Sequence, residues 1–241
     1  MKTTASLLSV LLLAIAVAGC NTATHPAPKG AAWWDVRHED FLATVQKNPG
    51  CQLLFLGDSI TDYWRAKGKG LQIWNAEYAP RNAVNLGIAG DRTEHLLWRL
   101  QNGELGSLRP KAVVLMIGTN NTGYEADGKT PRNSTKEIAA GVSAIVKYLR
   151  EKLPASKILL LAVFPRAEKN SEPRVQVGEV NKLIASLHDG QNIFYLDIGP
   201  KFLEPDGTLS RDIMPDLLHP NERGYQIWAD AIREPLAGLL K

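Results

Sequence analysis

Five largely apolar runs do most to constrain how this chain can fold. They span residues 52–56, 83–86, 112–117, 158–163 and 193–198. Their apolar residues are continuous rather than alternating, the pattern of strands covered on both faces, as in a parallel sheet. Stretches with helical spacing separate them. In 93–101, Leu96, Leu97 and Leu100 share a face. In 134–152, Ile138, Val142, Ile145 and Leu149 recur at helical intervals, and Pro154 closes the segment. Residues 33–46, 172–187 and 222–240 read the same way, with Pro235 expected to kink or interrupt the last. Strand and helix alternate, so the expected class is α/β with right-handed crossovers. In such sheets the site lies beyond the carboxyl ends of the strands.

Polar motifs fall at those ends. Gly57-Asp58-Ser59 follows the first run, Asn85-Leu86-Gly87-Ile88-Ala89-Gly90-Asp91 the second, and Gly118-Thr119-Asn120 the third. Near the C-terminus stands Asp216-Leu217-Leu218-His219, bracketed by Pro215 and Pro220. Ser59 is the candidate nucleophile, at the start of a helix expected over 60–64. His219 is the candidate base and Asp216, three residues earlier, its orienter. Gly90 and Asn120, with the Ser59 backbone N–H, are candidate oxyanion donors. Each motif alone has a commoner structural use, as a helix cap, a turn glycine or a loop histidine. Their joint placement at one sheet edge favours the chemical reading. Asp58, Asn85, Asp91 and Arg92 are read as supporting groups, with an Asp91–Arg92 ion pair expected beneath the oxyanion turn. His25, His38, His95 and His188 lack a carboxylate partner near a strand end and read as structural or solvent-facing. Trp64, Trp74 and Trp98 read as core.

Ahead of the first helix the sequence changes character. Lys2 precedes an apolar stretch, 7–17, that closes on Val17-Ala18-Gly19-Cys20. This looks like a bacterial lipoprotein signal with cleavage before Cys20 and lipid on its thiol. Residues 20–30 read as a tether and 31–241 as one domain. The expected location is exported, periplasmic or anchored to the outer membrane. Of 28 basic residues, removal of 1–19 takes only Lys2, leaving 27 against 25 acidic, a net of +2. No basic block marks a nucleic-acid binder. Cys51, the other cysteine, lies beside the first apolar run and reads as a buried thiol. No Cys/His cluster has metal-ligand spacing.

The stretches "FLGDSIT", "NLGIAGD", "GTNN" and "DLLHP" resemble the four sequence blocks of the SGNH hydrolases, also called GDSL esterases. "GIAGDRTEHLLWRLQNGEL" and "DGTLSRDIMPDLLHP" are similar to the catalytic subunits of the brain-type platelet-activating factor acetylhydrolases and their bacterial relatives. The resemblance implies a three-layer αβα, flavodoxin-like fold with a five-stranded parallel sheet of order 2-1-3-4-5. It implies Ser59, Asp216 and His219 as catalytic residues, Gly90 and Asn120 as oxyanion donors, and no cofactor. The related mammalian subunits pair, which raises a homodimer for this chain. Ile60, Ala89 and Pro220 depart from the pattern without removing a chemical group.

The expected function is a serine esterase removing short acyl groups, acetyl foremost, from carbohydrate or small-molecule esters. The alternatives are a phospholipase or lysophospholipase, an O-acyltransferase using the same acyl-enzyme, and an inactive glycan-binding lipoprotein.

Overall fold

The computed structural model describes residues 22–241. Residues 1–19, read as an export signal, and Cys20 lie outside the described residues. Five parallel strands form one sheet: β1 (Leu53–Gly57), β2 (Ala83–Asn85), β3 (Ala112–Met116), β4 (Lys157–Leu161) and β5 (Ile193–Leu196), ordered β2-β1-β3-β4-β5. Leu53 pairs with Ala83 on one side and Ala112 on the other, so β1 is central to the site end of the sheet. This is the order and class expected from the sequence.

The strand residues sort by parity into two cores. Leu54, Leu56, Val113, Leu115, Ile158 and Leu160 face one layer of helices. That layer is α1 (Ala32–Lys47), α4 (Thr93–Arg99), α5 (Thr135–Lys152) and α6 (Glu172–Ile184). Leu53, Phe55, Val114, Met116, Leu159 and Leu161 face the other. There α7 (Glu222–Leu239) packs with the short turns α2 (Ser59–Asp62) and α3 (Leu71–Ile73) and the helical segment Trp74–Tyr78. Burial of both faces explains why the strands carry no alternating pattern.

Three expectations needed correction. β4 ends at Leu161, not 163, because the Val163 backbone is claimed by a side chain. Asn181 accepts from Val163 N at 2.8 Å and donates to Val163 O at 2.9 Å, replacing a strand partner. Pro235 does not interrupt the last helix, which runs through it to Leu239. Pro235 is solvent-exposed, and a missing N–H there leaves no buried carbonyl stranded. The third concerns the tether. Residues 22–30 lie against the body as an ordered strap. Ala23 is buried and its carbonyl accepts from Thr93 Oγ1 at 2.9 Å. Ala27 N donates to Glu94 O, and Asn133 Nδ2 donates to Thr22 Oγ1 at 2.9 Å. A composition rich in Thr, Ala and Pro describes the segment's local freedom, and these long-range hydrogen bonds outweigh it.

Candidate active site

β1 delivers Ser59 to the rim. Asp58 caps α2 by accepting the Ile60 N–H at 3.0 Å, and Ser59 is the first residue of the turn. The helix is shorter than expected: one α turn, then a 3₁₀ turn at Tyr63–Arg65. So short an element adds little dipole, and the Ser59 N–H, free of an intrahelical acceptor, is the useful group. Tyr225 on α7 fastens this turn from below, donating its hydroxyl to Ile60 O at 2.7 Å. Asp58 is wholly buried, and burial pushes its carboxyl up to about 7, helped by the nearby Asp91 and opposed by the Ile60 N–H and Arg166.

The Ser59 hydroxyl lies 2.9 Å from His219 Nε2. His219 Nδ1 lies 2.6 Å from Asp216 Oδ2. Asp216 Oδ1 also accepts the backbone N–H groups of Leu218 and His219, at 3.0 and 2.7 Å. Burial alone would raise the Asp216 carboxyl; the hydrogen bonds from the His219 N–H and ring and from Leu218 N–H overcome it and hold it below its ordinary value. A tight turn makes this possible. Leu217 adopts a φ of 58°, a left-handed conformation costly for a branched side chain, and its carbonyl accepts from Ala167 N at 2.8 Å. The Tyr63 ring covers the imidazole at 5.1 Å between centroids.

The glycine turn after β2 is bolted to the serine turn. Asn85 Nδ2 donates to Thr61 O at 2.7 Å, and Asn85 Oδ1 accepts from Gly87 N at 2.9 Å. Asp62 accepts from Ala89 N, and Arg65 joins Asp62 to the carbonyl of Gly87. Gly90 has a φ of 75°, a conformation that disfavours side chains, and an added Cβ there would lie 2.7 Å from Lys29 Nζ. After β3, Gly118 at φ 127° opens the turn Thr119–Asn121 that carries Asn120. Asn120 Nδ2 gives one hydrogen to Asp91 O at 2.9 Å, which fixes the amide and leaves its second hydrogen free to donate. Gly90 and Asn120 share the wall of a cavity of about 520 Å³. A serine hydroxyl on an oriented imidazole, beside fixed N–H donors, is equipped for acyl transfer.

Asp91 and Arg92 do not pair. Asp91 turns inward, accepting from Trp34 Nε1 at 2.7 Å and Arg99 Nε at 2.8 Å. Arg92 turns outward to grip Glu125 with two bonds of 2.7 Å. Neighbours in an extended backbone point to opposite sides, so the adjacent charges find separate partners. His38, read as structural or solvent-facing, is buried and bonds Glu104 through Nδ1 at 2.8 Å, a carboxylate away from any strand end. Trp64 and Trp74 are buried as expected, and Trp98 is half-buried against Trp34.

Sequence reasoning missed several residues here. Asp62 and Arg65 lock the glycine turn. Asn121 accepts from Thr93 N and donates to Glu94 and Asn133. Arg166 holds the Thr119 carbonyl at 2.7 Å. Lys29 and Arg132 reach the cavity from outside the motifs. Among the described residues no group of three or more His, Cys, Asp or Glu could hold a metal ion.

The GDSL-like lipase/acylhydrolase family model matches residues 55–227, spanning the serine, glycine, asparagine and histidine turns. The chain belongs to this family. It is 34% identical over 226 residues to the human platelet-activating factor acetylhydrolase IB subunit alpha1, covering 91% of each chain. Among solved structures it is similar to a GDSL-like lipase of Bacteroides thetaiotaomicron, with TM-score 0.65 and 17% identity over 83% of this chain and 98% of that one. An acetylxylan esterase of Geobacillus stearothermophilus shares the fold at TM-score 0.59 and 24% identity, over 77% and 94% of the two chains. The protein is therefore an acylhydrolase of the SGNH type.

Proposed function

We propose that this acylhydrolase removes short acyl groups, acetyl foremost, from O-esters of carbohydrates or small polar alcohols. The observation that carries the reading is the aligned chain from Asp216 through His219 to the Ser59 hydroxyl, 2.6 and 2.9 Å per link. His219 Nε2 takes the Ser59 proton as the oxygen attacks the ester carbonyl. The Ser59 and Gly90 N–H groups and the Asn120 amide receive the charge on the carbonyl oxygen. His219 then passes the proton to the departing alcohol, leaving an acyl-serine. Water, deprotonated by the same ring, attacks the acyl-serine; the acid leaves and Ser59 regains its proton.

Two facts favour a small, polar substrate. The cavity at the oxyanion wall is lined by polar and charged residues together with Gly90. A relative is named a platelet-activating factor acetylhydrolase and a structural neighbour an acetylxylan esterase, both names that point to a small acyl group. Ser59→Ala is expected to fold normally and to lose p-nitrophenyl acetate turnover by at least ~10³-fold. A near-normal rate in that variant removes Ser59 from the reaction. A p-nitrophenyl series from acetate to palmitate then separates acetyl esterase from lipase, and acetyl release from acetylated xylan tests the glycan.

The export and anchoring reading rests on the pattern Val17-Ala18-Gly19-Cys20. It is supported if cells incorporate labelled palmitate into the protein and Cys20→Ser abolishes the label.

A further inference from the structure

The cavity walled by Gly90 and Asn120 is also lined by Lys29, Arg92, His95 and Arg132. Its positive charge is only partly answered. Glu125 grips Arg92 and lies 3.8 Å from Arg132 Nε, too far for a hydrogen bond. The buried Arg132 Nε has no hydrogen-bond partner, while Nη1 donates to the carbonyls of Asn120 and Thr122. Lys29 is in no ion pair among the described residues. Its ammonium donates to Gly90 O at 2.6 Å and Ala89 O at 3.4 Å. Burial lowers its pKa, so the charge is held there at a cost. Of the buried carboxylates nearby, Asp91 is committed to Trp34 and Arg99, and Glu94, 3.9 Å from Arg92, accepts from Asn121.

His95 responds to the same field. Burial first, then Lys29, Arg92 and Arg99, push its pKa down to about 3. The ring is therefore neutral, and because Nδ1 accepts the Arg92 N–H at 3.1 Å, its proton sits on Nε2. The cavity is thus lined by an ammonium, the incompletely paired Arg132 guanidinium, the Glu125-bound Arg92 and a neutral imidazole. Such a lining draws an anion, and guanidinium matches the oxygens of carboxylate and phosphate. Beside Lys29, whose Nζ lies 5.6 Å from its ring centroid, Trp33 is 54% exposed. An exposed indole offers a flat face to a sugar ring.

We propose that this cavity binds a carboxylate or phosphate group next to the scissile ester, so that the preferred substrate is an acylated acidic sugar. The ester half of the statement rests on the function proposed above; the anion half does not. Lys29, supplied by the strap, and Arg132, supplied by the loop before α5, are the specificity-determining residues.

Binding to full-length Ser59→Ala protein tests the anion half without turnover. Glucuronate and glucose 6-phosphate are expected to bind at least ~10-fold more tightly than glucose in low salt and to lose that advantage in high salt. The order of the two anions identifies which group the cavity prefers. Arg132→Gln should cut the advantage several-fold, and Lys29→Gln supplies a second variant should the first misfold. Equal binding of glucose and both anions, or an advantage untouched by both substitutions, overturns the subsite. With the active protein, kcat/KM for acetylated glucuronate should exceed that for acetylated glucose by the same order. Normal p-nitrophenyl acetate turnover without that preference also overturns it. A protein that binds glucuronate but hydrolyses no ester keeps the subsite and sinks the esterase. Preference for a lysophospholipid over glucuronate assigns the charge to a lipid headgroup and overturns the sugar.

Discussion

The two sides of the active site are built from opposite materials. Beneath Ser59, α7 and the turns after β1 meet in a mass of rings. Trp64 lies 4.6 Å from Tyr225 and 4.8 Å from Trp228, and Trp228 lies 5.0 Å from Phe164, centroid to centroid. Beneath Gly90, on the other face, the support is a chain of charge: Asp91 to Arg99, Arg99 to Glu104, Glu104 to His38. Asp91, Arg99 and Glu104 are each 0% exposed. Rings hold by area and dispersion, which degrade in small steps when atoms are removed. Buried ions hold only as a complete set, because a charge left alone in the interior is costly. The nucleophile therefore rests on a graded support and the oxyanion turn on one that fails abruptly.

The sharpest way to break that contrast is Arg99→Met. It strands Asp91 and Glu104, and the expected loss is about 3–5 kcal/mol by urea unfolding. Trp228→Phe on the aromatic side should cost clearly less, and comparable losses would erase the distinction. Next comes Asn120→Ala. If its second N–H serves the oxyanion as proposed, kcat should fall about 10²–10³-fold, or ~3 kcal/mol, with little change in unfolding midpoint. A matching loss of stability would make Asn120 a structural member of the charged side.

A pH-dependent contribution comes from Asp58, the residue between β1 and the Ser59 turn. Its folded pKa of about 7 stands above the ordinary carboxylate value of 3.8. The folded state therefore holds the proton more tightly. That contribution is complete below 3.8 and is lost as pH rises through about 7. Asp58→Asn removes the titration, so between these limits the parent should lose stability in urea unfolding that the variant keeps. Parallel pH profiles for the two would show that Asp58 ionises without cost.

Much of this was legible beforehand, and the division has a physical basis. The five strands showed as continuous apolar runs because both sheet faces are covered. A rule of parallel sheets puts Ser59, Gly90 and Asn120 at one edge, and the three-residue spacing of Asp216 and His219 makes them candidate partners, readings that the resemblance of four short blocks also implies. What escaped was long-range and polar. Lys29 bonds Gly90 across 61 positions, and Arg132 meets the cavity from an irregular loop. Neither has a local pattern to betray it. The Asp91–Arg92 pairing failed because adjacency in sequence says nothing about which side of the backbone a charge takes. Leu217 was invisible for a similar reason: a left-handed leucine is imposed by its surroundings.

The strap has a geometric consequence. Lys29 stands only nine positions after Cys20, and an extended chain gains at most about 3.6 Å per residue. Anything that grips this protein at Cys20 keeps the catalytic mouth on a leash of roughly 30 Å. A bilayer holding that cysteine would have the enzyme work within a short reach of its own surface, on whatever esters pass there.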